Sequence, residues 1–131
     1  MKVKECKLTE PVSEDQDKDI VQTAKKLKSH SVRNIVICED KKPIGIVSAV
    51  DIVNEIVATG KDPKSIKAKD IMTKPVFTCD IEDDVRKIYF EMVKRNIFVC
   101  PVTENGKLVG ALPMHEAVCA IKSCAPKHGD N

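Results

Sequence analysis

Residues 43–51 read PIGIVSAVD, and residues 108–116 read LVGALPMHE. In both stretches a glycine lies inside a short apolar run of strand length, and a segment compatible with a helix follows. Glycine weakens a strand unless another group must approach the backbone closely. The interval from Gly45 to Gly110 is here called the repeat offset. The recurrence of this arrangement further along the chain indicates an internal repeat.

The repeat offset aligns the rest of the two halves without a gap. Most aligned pairs preserve apolar or acidic character: Asp15 aligns with Asp80, Asp19 with Asp84, Ile20 with Val85, Leu27 with Met92, Val32 with Ile97 and Glu39 with Glu104. A chance alignment rarely keeps its phase over such a length. The chain is therefore interpreted as two homologous units.

Each half has the pattern strand, helix, strand, strand, helix. Apolar residues recur at three- and four-residue spacing in the helices, and Asn105-Gly106 is a strong signal for a two-residue hairpin. In the second half we predict strands at 76–79, 98–102 and 108–112, and helices at 83–95, with Asp80 as N-cap, and 114–121. In the first half we predict helices at 17–29 and 49–58, and strands at 33–38 and 43–47.

These elements divide the chain into a first motif at residues 1–58, a linker at 59–69, a second motif at 70–122 and a polar tail at 123–131. Gly60 and Pro63 mark the linker, because glycine ends a helix and proline cannot continue one. A unit of about 60 residues is marginally stable alone, so we expect the halves to pack on each other.

Charge and composition argue against several classes of protein. The chain of 131 residues carries 22 basic and 20 acidic residues, for a net charge of +2, which is weak for a dedicated nucleic-acid binder. The lysines at positions 25, 26 and 28 are interpreted as a solvated helix face. No apolar run is long enough to span a membrane, and residues 1–10 do not form a secretory signal, so we expect a cytoplasmic protein.

The six cysteines include no CxxC pair, and no metal site is expected. Free thiols inside apolar segments behave as small hydrophobic groups. The sequence leaves open whether any of these cysteines form disulfides.

The repeat resembles the tandem pair of CBS domains over nearly the whole chain. Residues 70–73, DIMT, are similar to the start of a repeat in that family, and residues 45–51, GIVSAVD, match its nucleotide-binding pattern. The resemblance implies an α/β (α+β) fold of two β-α-β-β-α half-domains, packed through their sheets with pseudo-twofold symmetry. It also implies clefts that bind an adenosyl ligand.

The chemistry of residues 45–51 suits a nucleotide. Gly45, Ile46 and Val47 form the strand that leads to Ser48 at a helix N-cap, where unpaired amides and the helix dipole attract phosphate. Asp51 lies one turn further on, and its carboxylate can accept hydrogen bonds from a ribose diol. Arg33 opens the preceding strand, and its guanidinium suits phosphate.

Each of these residues also has a structural interpretation. Ser48 and Asp51 have the spacing of a capping box, and Arg33 is equally compatible with a surface position. The resemblance implies an adenine pocket completed by Met72, Pro75, Val76 and Phe77. Ordinary core packing explains these four residues as well, and the two roles can coexist.

The second half departs from the nucleotide-binding pattern. Pro113 stands where the first half has Ser48, and Glu116 stands in place of Asp51. Val99 occupies the position that corresponds to Arg33. We therefore expect one competent site and one degraded site.

We predict a regulatory module that senses energy or metabolite level, with no obligatory cofactor and no catalytic residue. The expected ligand is AMP, ADP or ATP, and S-adenosylmethionine is an alternative. The sequence contains no GxSxG, HExxH or P-loop motif. The resemblance implies a homodimer, and a separate effector protein would sense the ligand. A ligand-free protein interaction module and a nucleic-acid-binding protein remain alternatives.

Overall fold

The computed structural model describes residues 1–124 and divides them into two compact units. The first unit is Pro11–Val76, and the second combines Met1–Glu10 with the chain from Phe77 onward. Each unit is a mixed arrangement of helices and a three-stranded sheet, as predicted. The predicted tail at 123–131 lies largely outside the described residues.

The first unit contains three strands and three helical segments. In chain order they are β1 (Ser13–Asp15), α1 (Ile20–His30), β2 (Asn34–Glu39), β3 (Lys42–Ser48), α2 (Ala49–Ile52), which continues as a π-helix (Val53–Val57), and α3 (Ala68–Ile71). Strand β2 lies in the centre of the sheet, parallel to β1 and antiparallel to β3.

The second unit repeats this topology. Its elements are a 3-10 turn (Val3–Glu5), β4 (Cys79–Asp80), α4 (Val85–Arg95), β5 (Val99–Glu104), β6 (Lys107–Pro113) and α5 (Met114–Cys124). Strand β5 is central, parallel to β4 and antiparallel to β6. The register of each central hairpin shifts once, at 37/38 and at 102/103, which are positions that the repeat offset aligns.

Turn chemistry explains the two hairpins. Asn105 and Gly106 have φ values of 54° and 79°, as the two-residue turn requires. The first hairpin turns at Asp40 and Lys41, with φ values of 50° and 67°, so the same conformation forms there without glycine.

Each unit has its own apolar core. In the first unit Ile35, Ile37 and Val47 on the sheet pack with Leu27 of α1. In the second unit the sheet residues Cys100, Val102 and Leu112 pack with helix residues. These helix residues are Val85, Ile88, Met92 and Ala117. In β3 burial alternates along the strand, whereas β5 and β6 each bury four consecutive residues. The helices contribute buried residues at three- and four-residue spacing, as in Val85, Ile88 and Met92 of α4.

Several element boundaries differ from the predictions. Strand β4 is Cys79–Asp80, shorter and later than predicted, and the N-cap of α4 is Asp84 rather than Asp80. Asp80 is engaged in the preceding turn, where its carboxylate accepts a hydrogen bond from the Glu82 amide at 2.9 Å. The amide of Arg86 donates to Asp84 at 3.0 Å, so the later aspartate caps the helix.

The helix predicted at 49–58 is regular for only one turn. Beyond Ile52 it widens into the π-helix, and the Ala58 amide donates to the Val53 carbonyl at 2.8 Å. Apolar spacing does not distinguish a π-helix from an α-helix, which is why the sequence did not predict it. Gly60, with φ of 71°, follows the helix as expected.

Five cysteines are free thiols in the structure: Cys6, Cys38, Cys79, Cys100 and Cys119. None of the helices within residues 1–124 has the length and apolar character needed to cross a bilayer.

Candidate functional site

The candidate site lies at the start of α2 in the first unit. The pairing of Asn34 with Ser48 brings the beginning of β2 beside the end of β3. The Ala49 amide donates a hydrogen bond of 2.9 Å to the Arg33 carbonyl. The backbone of Arg33 therefore lies next to the first turn of α2, and its side chain is exposed.

Ser48 and Asp51 form a complete capping box. The Asp51 amide donates to Ser48 Oγ at 3.0 Å, and the Ser48 amide donates to Asp51 Oδ2 at 2.8 Å. The structural alternative raised from the sequence is thus present in the fold. It coexists with ligand binding only if a ligand uses the atoms that the capping box leaves available.

The hydrogen bonds at this helix terminus differ from the expectation of unpaired amides. The Ala49 amide is held by the Arg33 carbonyl, and the Asp51 amide by Ser48 Oγ. The Asp51 carboxylate is half-buried, and in the described chain it accepts hydrogen bonds through Oδ2 alone. Oδ1 is therefore the acceptor that this rim offers to a hydroxyl donor.

Gly45 is required by the protein's own backbone. A Cβ atom at this position would lie 2.7 Å from Met72 Sδ and 3.0 Å from the Thr73 carbonyl oxygen. Thr73 pairs with Ile46 through two backbone hydrogen bonds, of 3.0 and 2.8 Å. The close approach that requires glycine at this position is therefore made by Met72 and Thr73, which follow α3. Gly45 would be needed here even if no ligand bound.

The residues predicted for the adenine pocket divide between the two units. Met72, Pro75 and Val76 belong to the same unit as Ser48, and Met72 contacts the strand that leads to the cap. Phe77 belongs to the second unit, where it packs against the core and the Arg95 guanidinium lies 4.4 Å from its ring centroid. The structure thus gives Phe77 a packing role of its own.

The equivalent position in the second unit has different chemistry. Strand β6 ends at Pro113, and α5 begins at Met114, whose amide donates to the Phe98 carbonyl at 2.7 Å. His115 Nε2 lies 3.2 Å from a Glu116 carboxylate oxygen. Proline supplies neither the hydroxyl nor the amide of a capping box, so this helix begins without one.

Sequence reasoning missed the structural importance of Thr73. In the second unit Thr9 pairs with Ala111 through two backbone hydrogen bonds of 2.9 Å, just as Thr73 pairs with Ile46. Leu8 Cδ1 would lie 3.2 Å from a Cβ at Gly110. Thr9 and Thr73 are therefore equivalent residues of the two units, and their separation is one residue shorter than the repeat offset. A sequence alignment that allowed a one-residue gap could have matched Thr9 with Thr73.

Another interaction that the sequence did not indicate is a buried carboxyl group in the first unit. Glu14 is 8% exposed, and the Thr23 hydroxyl donates a hydrogen bond to it. Burial raises the pKa of the Glu14 carboxyl, and the Thr23 hydrogen bond partly opposes this shift. Among residues 1–124, no cluster of three or more histidine, cysteine, aspartate or glutamate side chains is arranged to hold a metal ion.

Comparison with known proteins yields a family match in both halves. Residues 3–58 and 68–123 match the family model described as the CBS domain. A CBS domain protein of Pyrobaculum aerophilum, solved in complex with AMP, is 26% identical and superposes with a TM-score of 0.74. The match covers 95% of this chain and 100% of that one.

Two curated relatives are longer than this chain. An uncharacterized protein of Methanopyrus kandleri is 36% identical over 98 residues, which are 73% of this chain and 50% of that protein. A homoserine O-acetyltransferase of Methanosphaera stadtmanae is 36% identical over 100 residues, which are 75% of this chain and 19% of the enzyme. The chain thus spans half or less of the length of these relatives.

Proposed function

Because the chain belongs to the CBS-domain family and carries two such domains in tandem, we propose that it is a regulatory module that binds an adenosine nucleotide. The observation that carries this proposal is the arrangement of Arg33, Ser48 and Asp51 at the start of α2. Met72 lies beside Gly45 in the strand that leads to this helix. The AMP complex of the Pyrobaculum aerophilum relative supports the class of ligand. AMP, ADP and ATP are the first candidates, with S-adenosylmethionine as the alternative.

Asp51 is proposed to bind the ribose. Its Oδ1 atom is available while Oδ2 holds the Ser48 amide, so the carboxylate can accept a diol hydrogen bond without breaking the cap. Phosphate would lie toward Ser48 and Arg33, where the hydroxyl, the guanidinium and the helix dipole favour an anion. Gly45, Ile46 and Val47 form the strand beneath this rim.

Met72, Pro75 and Val76 are proposed to contact the adenine ring. Thioether and aliphatic groups offer apolar, polarizable contact to a flat purine. Met72 is held beside Gly45 by the pairing of Thr73 with Ile46, so its position is coupled to the strand that leads to the ribose site. Phe77 packs in the core of the second unit and is not part of this proposed contact surface.

The second unit is proposed to bind nucleotide weakly or not at all. Val99, Pro113 and Glu116 replace the guanidinium, the hydroxyl and the shorter carboxylate of the first unit. Glu116 lies within reach of His115, which directs its carboxylate toward a local partner. One nucleotide per chain is therefore the expected stoichiometry.

Titration calorimetry with AMP, ADP and ATP tests the proposal. Asp51→Ala should weaken binding about 10- to 100-fold, since a hydrogen bond to a charged group contributes about 1.5–3 kcal/mol. Glu116→Ala is the matched control and should leave the affinity unchanged. Absence of binding by all three nucleotides and by S-adenosylmethionine at millimolar concentration would refute the ligand assignment.

A protein interaction module without a small ligand is the second candidate, and the complete capping box favours it. In that case Ser48→Ala would lower the stability of the protein and Asp51→Ala would do the same, while purified protein released no nucleotide on denaturation. Mass analysis of the denatured sample distinguishes the two candidates directly.

The proposed biological role is that of an energy or metabolite sensor in the cytoplasm. Such a switch requires a ligand that binds two states unequally, and a separate effector protein or a homodimer that responds to the difference. Light scattering with and without nucleotide tests the homodimer. We propose regulation and not acetyl transfer, because the match covers only 19% of the acetyltransferase.

A further inference from the structure

Helix α5 of the second unit carries a histidine and a cysteine on one face. Ala117 of this helix is buried, and Met114 and Ala120 are partly buried against the core of the unit. His115 and Cys119 are exposed. Residues four positions apart lie one turn apart on the same face of a helix. The imidazole and the thiol are therefore neighbours on the side of α5 that faces away from the core of its own unit.

The two side chains are of the types that bind zinc and related ions. Zn²⁺ binds an imidazole nitrogen at about 2.0–2.1 Å and a thiolate sulfur at about 2.3 Å. On a helix, Cβ atoms at this spacing are about 5–6 Å apart. One ion can therefore contact the ring of His115 and the thiolate of Cys119 together, without a change in the helix.

The Glu116 carboxylate positions the imidazole. His115 Nε2 lies 3.2 Å from Glu116 Oε2, and the glutamate side chain is 24% exposed, compared with 75% for the histidine. In the neutral tautomer with hydrogen on Nε2, this N–H donates to the carboxylate and Nδ1 keeps its lone pair. Histidines that bind metal ions commonly donate their other ring N–H to a carboxylate in this way. Nδ1 is thus the nitrogen that is available to a metal ion.

The start of α5 explains why this carboxylate is available to the histidine. In the first unit the aligned residue, Asp51, accepts a hydrogen bond of 2.8 Å from the Ser48 amide. Pro113 stands in place of Ser48 and has no amide hydrogen, so no equivalent bond holds Glu116. The loss of the capping box in the second unit therefore leaves the carboxylate to the imidazole beside it.

The first unit has neither metal ligand. The repeat offset aligns His115 with Val50 and Cys119 with Asn54. Valine and asparagine are not ligands that zinc uses in proteins. The histidine and cysteine are therefore a property of the second unit alone, and the repeated fold does not require them.

The pair supplies two of the four ligands of a tetrahedral ion. Within residues 1–124 no group of three or more histidine, cysteine, aspartate or glutamate side chains is placed to hold an ion. Water can fill the two open positions. In a homodimer whose α5 helices meet, the same pair of a second copy would complete a set of two imidazoles and two thiolates. One bound ion per chain would indicate the first arrangement, and one ion per two chains the second.

We propose that His115 and Cys119 bind Zn²⁺ or a chemically similar divalent ion, and that Glu116 is a positioning residue for the imidazole. The thiol releases its proton to solvent as the bond between sulfur and metal forms. Neither ligand is among the proposed nucleotide ligands, so metal binding does not depend on nucleotide binding.

Co²⁺ serves as the probe, added to the full chain in a reductant that contains no thiol. A cobalt–thiolate bond gives a charge-transfer band in the near ultraviolet, so titration of the wild type should give a saturable band that Zn²⁺ removes. Cys119→Ser should abolish this band. Glu116→Gln should weaken cobalt binding about 10- to 100-fold, because the carboxylate no longer orients the ring, and His115→Ala should weaken it further.

Two variants serve as controls for the metal site. Cys6→Ser removes a half-buried thiol of the same unit, and His30→Ala removes an exposed histidine of the first unit. Both should keep the cobalt band and the cobalt affinity of the wild type. Calorimetric titration of Cys119→Ser with AMP should match the wild type, which separates the metal site from the nucleotide site.

Three results would overturn the proposal. The first is a wild-type chain that gives no saturable cobalt band. The second is a band that neither Cys119→Ser nor His115→Ala weakens, which would place the ion elsewhere. The third is a band that is lost only in the double variant Cys124→Ser, His128→Ala, which would assign the ion to the C-terminal end of the chain.

Discussion

Substitution of Gly45 by alanine should destabilise the first unit, because the new Cβ atom would overlap Met72 and Thr73. The new Cβ would lie 2.7 Å from Met72 Sδ, 2.9 Å from Met72 Cγ and 3.0 Å from the Thr73 carbonyl oxygen. Optimal contacts between heavy atoms are about 3.5–4.0 Å, so the overlap approaches about 1 Å. The methionine side chain can move, but the Thr73 carbonyl is fixed by its bond to the Ile46 amide.

The expected magnitude follows from two opposing terms. Overpacking costs about 1–3 kcal/mol, while replacing glycine by alanine inside a strand recovers about 0.5–1 kcal/mol. We expect a net loss of about 1–2 kcal/mol in the free energy of unfolding, measured by urea denaturation and circular dichroism. In a Met72→Ala background the additional cost of Gly45→Ala should be smaller, because two of the three close contacts are absent there.

Gly110→Ala is the matched control in the second unit. Its Cβ would lie 3.2 Å from Leu8 Cδ1, the end of a flexible side chain, and 3.7 Å from the Thr9 carbonyl oxygen, an ordinary contact. The stabilisation from replacing a strand glycine by alanine and the cost of the closer packing should nearly cancel. The free energy of unfolding of Gly110→Ala should therefore lie within about 0.5 kcal/mol of the wild type. Equal stability of Gly45→Ala and the wild type, or a larger loss for Gly110→Ala, would refute the reasoning.

Two further predictions concern carboxyl groups. The pKa of Glu82 is lowered to about 2 because Lys2 and Lys4 donate hydrogen bonds of 2.7 and 2.8 Å to it. The stabilisation from this ionised carboxylate is present above pH 4.5 and is lost as the pH falls toward 2. An NMR titration of the Glu82 carboxyl should show this low pKa, and the pKa should rise at high salt or in Lys4→Met. Burial raises the pKa of Glu14, so the folded state binds its proton more readily than the unfolded state, and stability should fall as the pH rises from 4.5 through the raised pKa. Glu14→Gln should flatten this dependence of melting temperature on pH, and an unchanged slope would contradict the assignment.

The elements of the fold were predictable because local patterns and the repeat agree. Apolar spacing located α1 and α4, and the turn at Asn105-Gly106 located the second hairpin. What could not be predicted is long-range: the pairing of Thr9 with Ala111 joins residues from nearly opposite ends of the chain. Such pairing depends on tertiary packing, for which the short segment 6–10 carries no periodic signal.

Comparison of the two units distinguishes the residues that the repeated fold needs from the residues proposed to bind a ligand. Gly45 and Gly110 both lie against the backbone of a short paired segment, although only the first unit has a serine and an aspartate at the start of the following helix. The glycine at the centre of the sequence pattern is therefore a property of the repeat and does not identify a nucleotide site. The proposed specificity rests on three positions at which the halves differ: Arg33, Ser48 and Asp51 in the first unit, against Val99, Pro113 and Glu116 in the second. Exchanging these three residues between the halves should move nucleotide binding to the second unit while both glycines stay in place, and binding that remained at the first unit would show that its affinity comes from other groups.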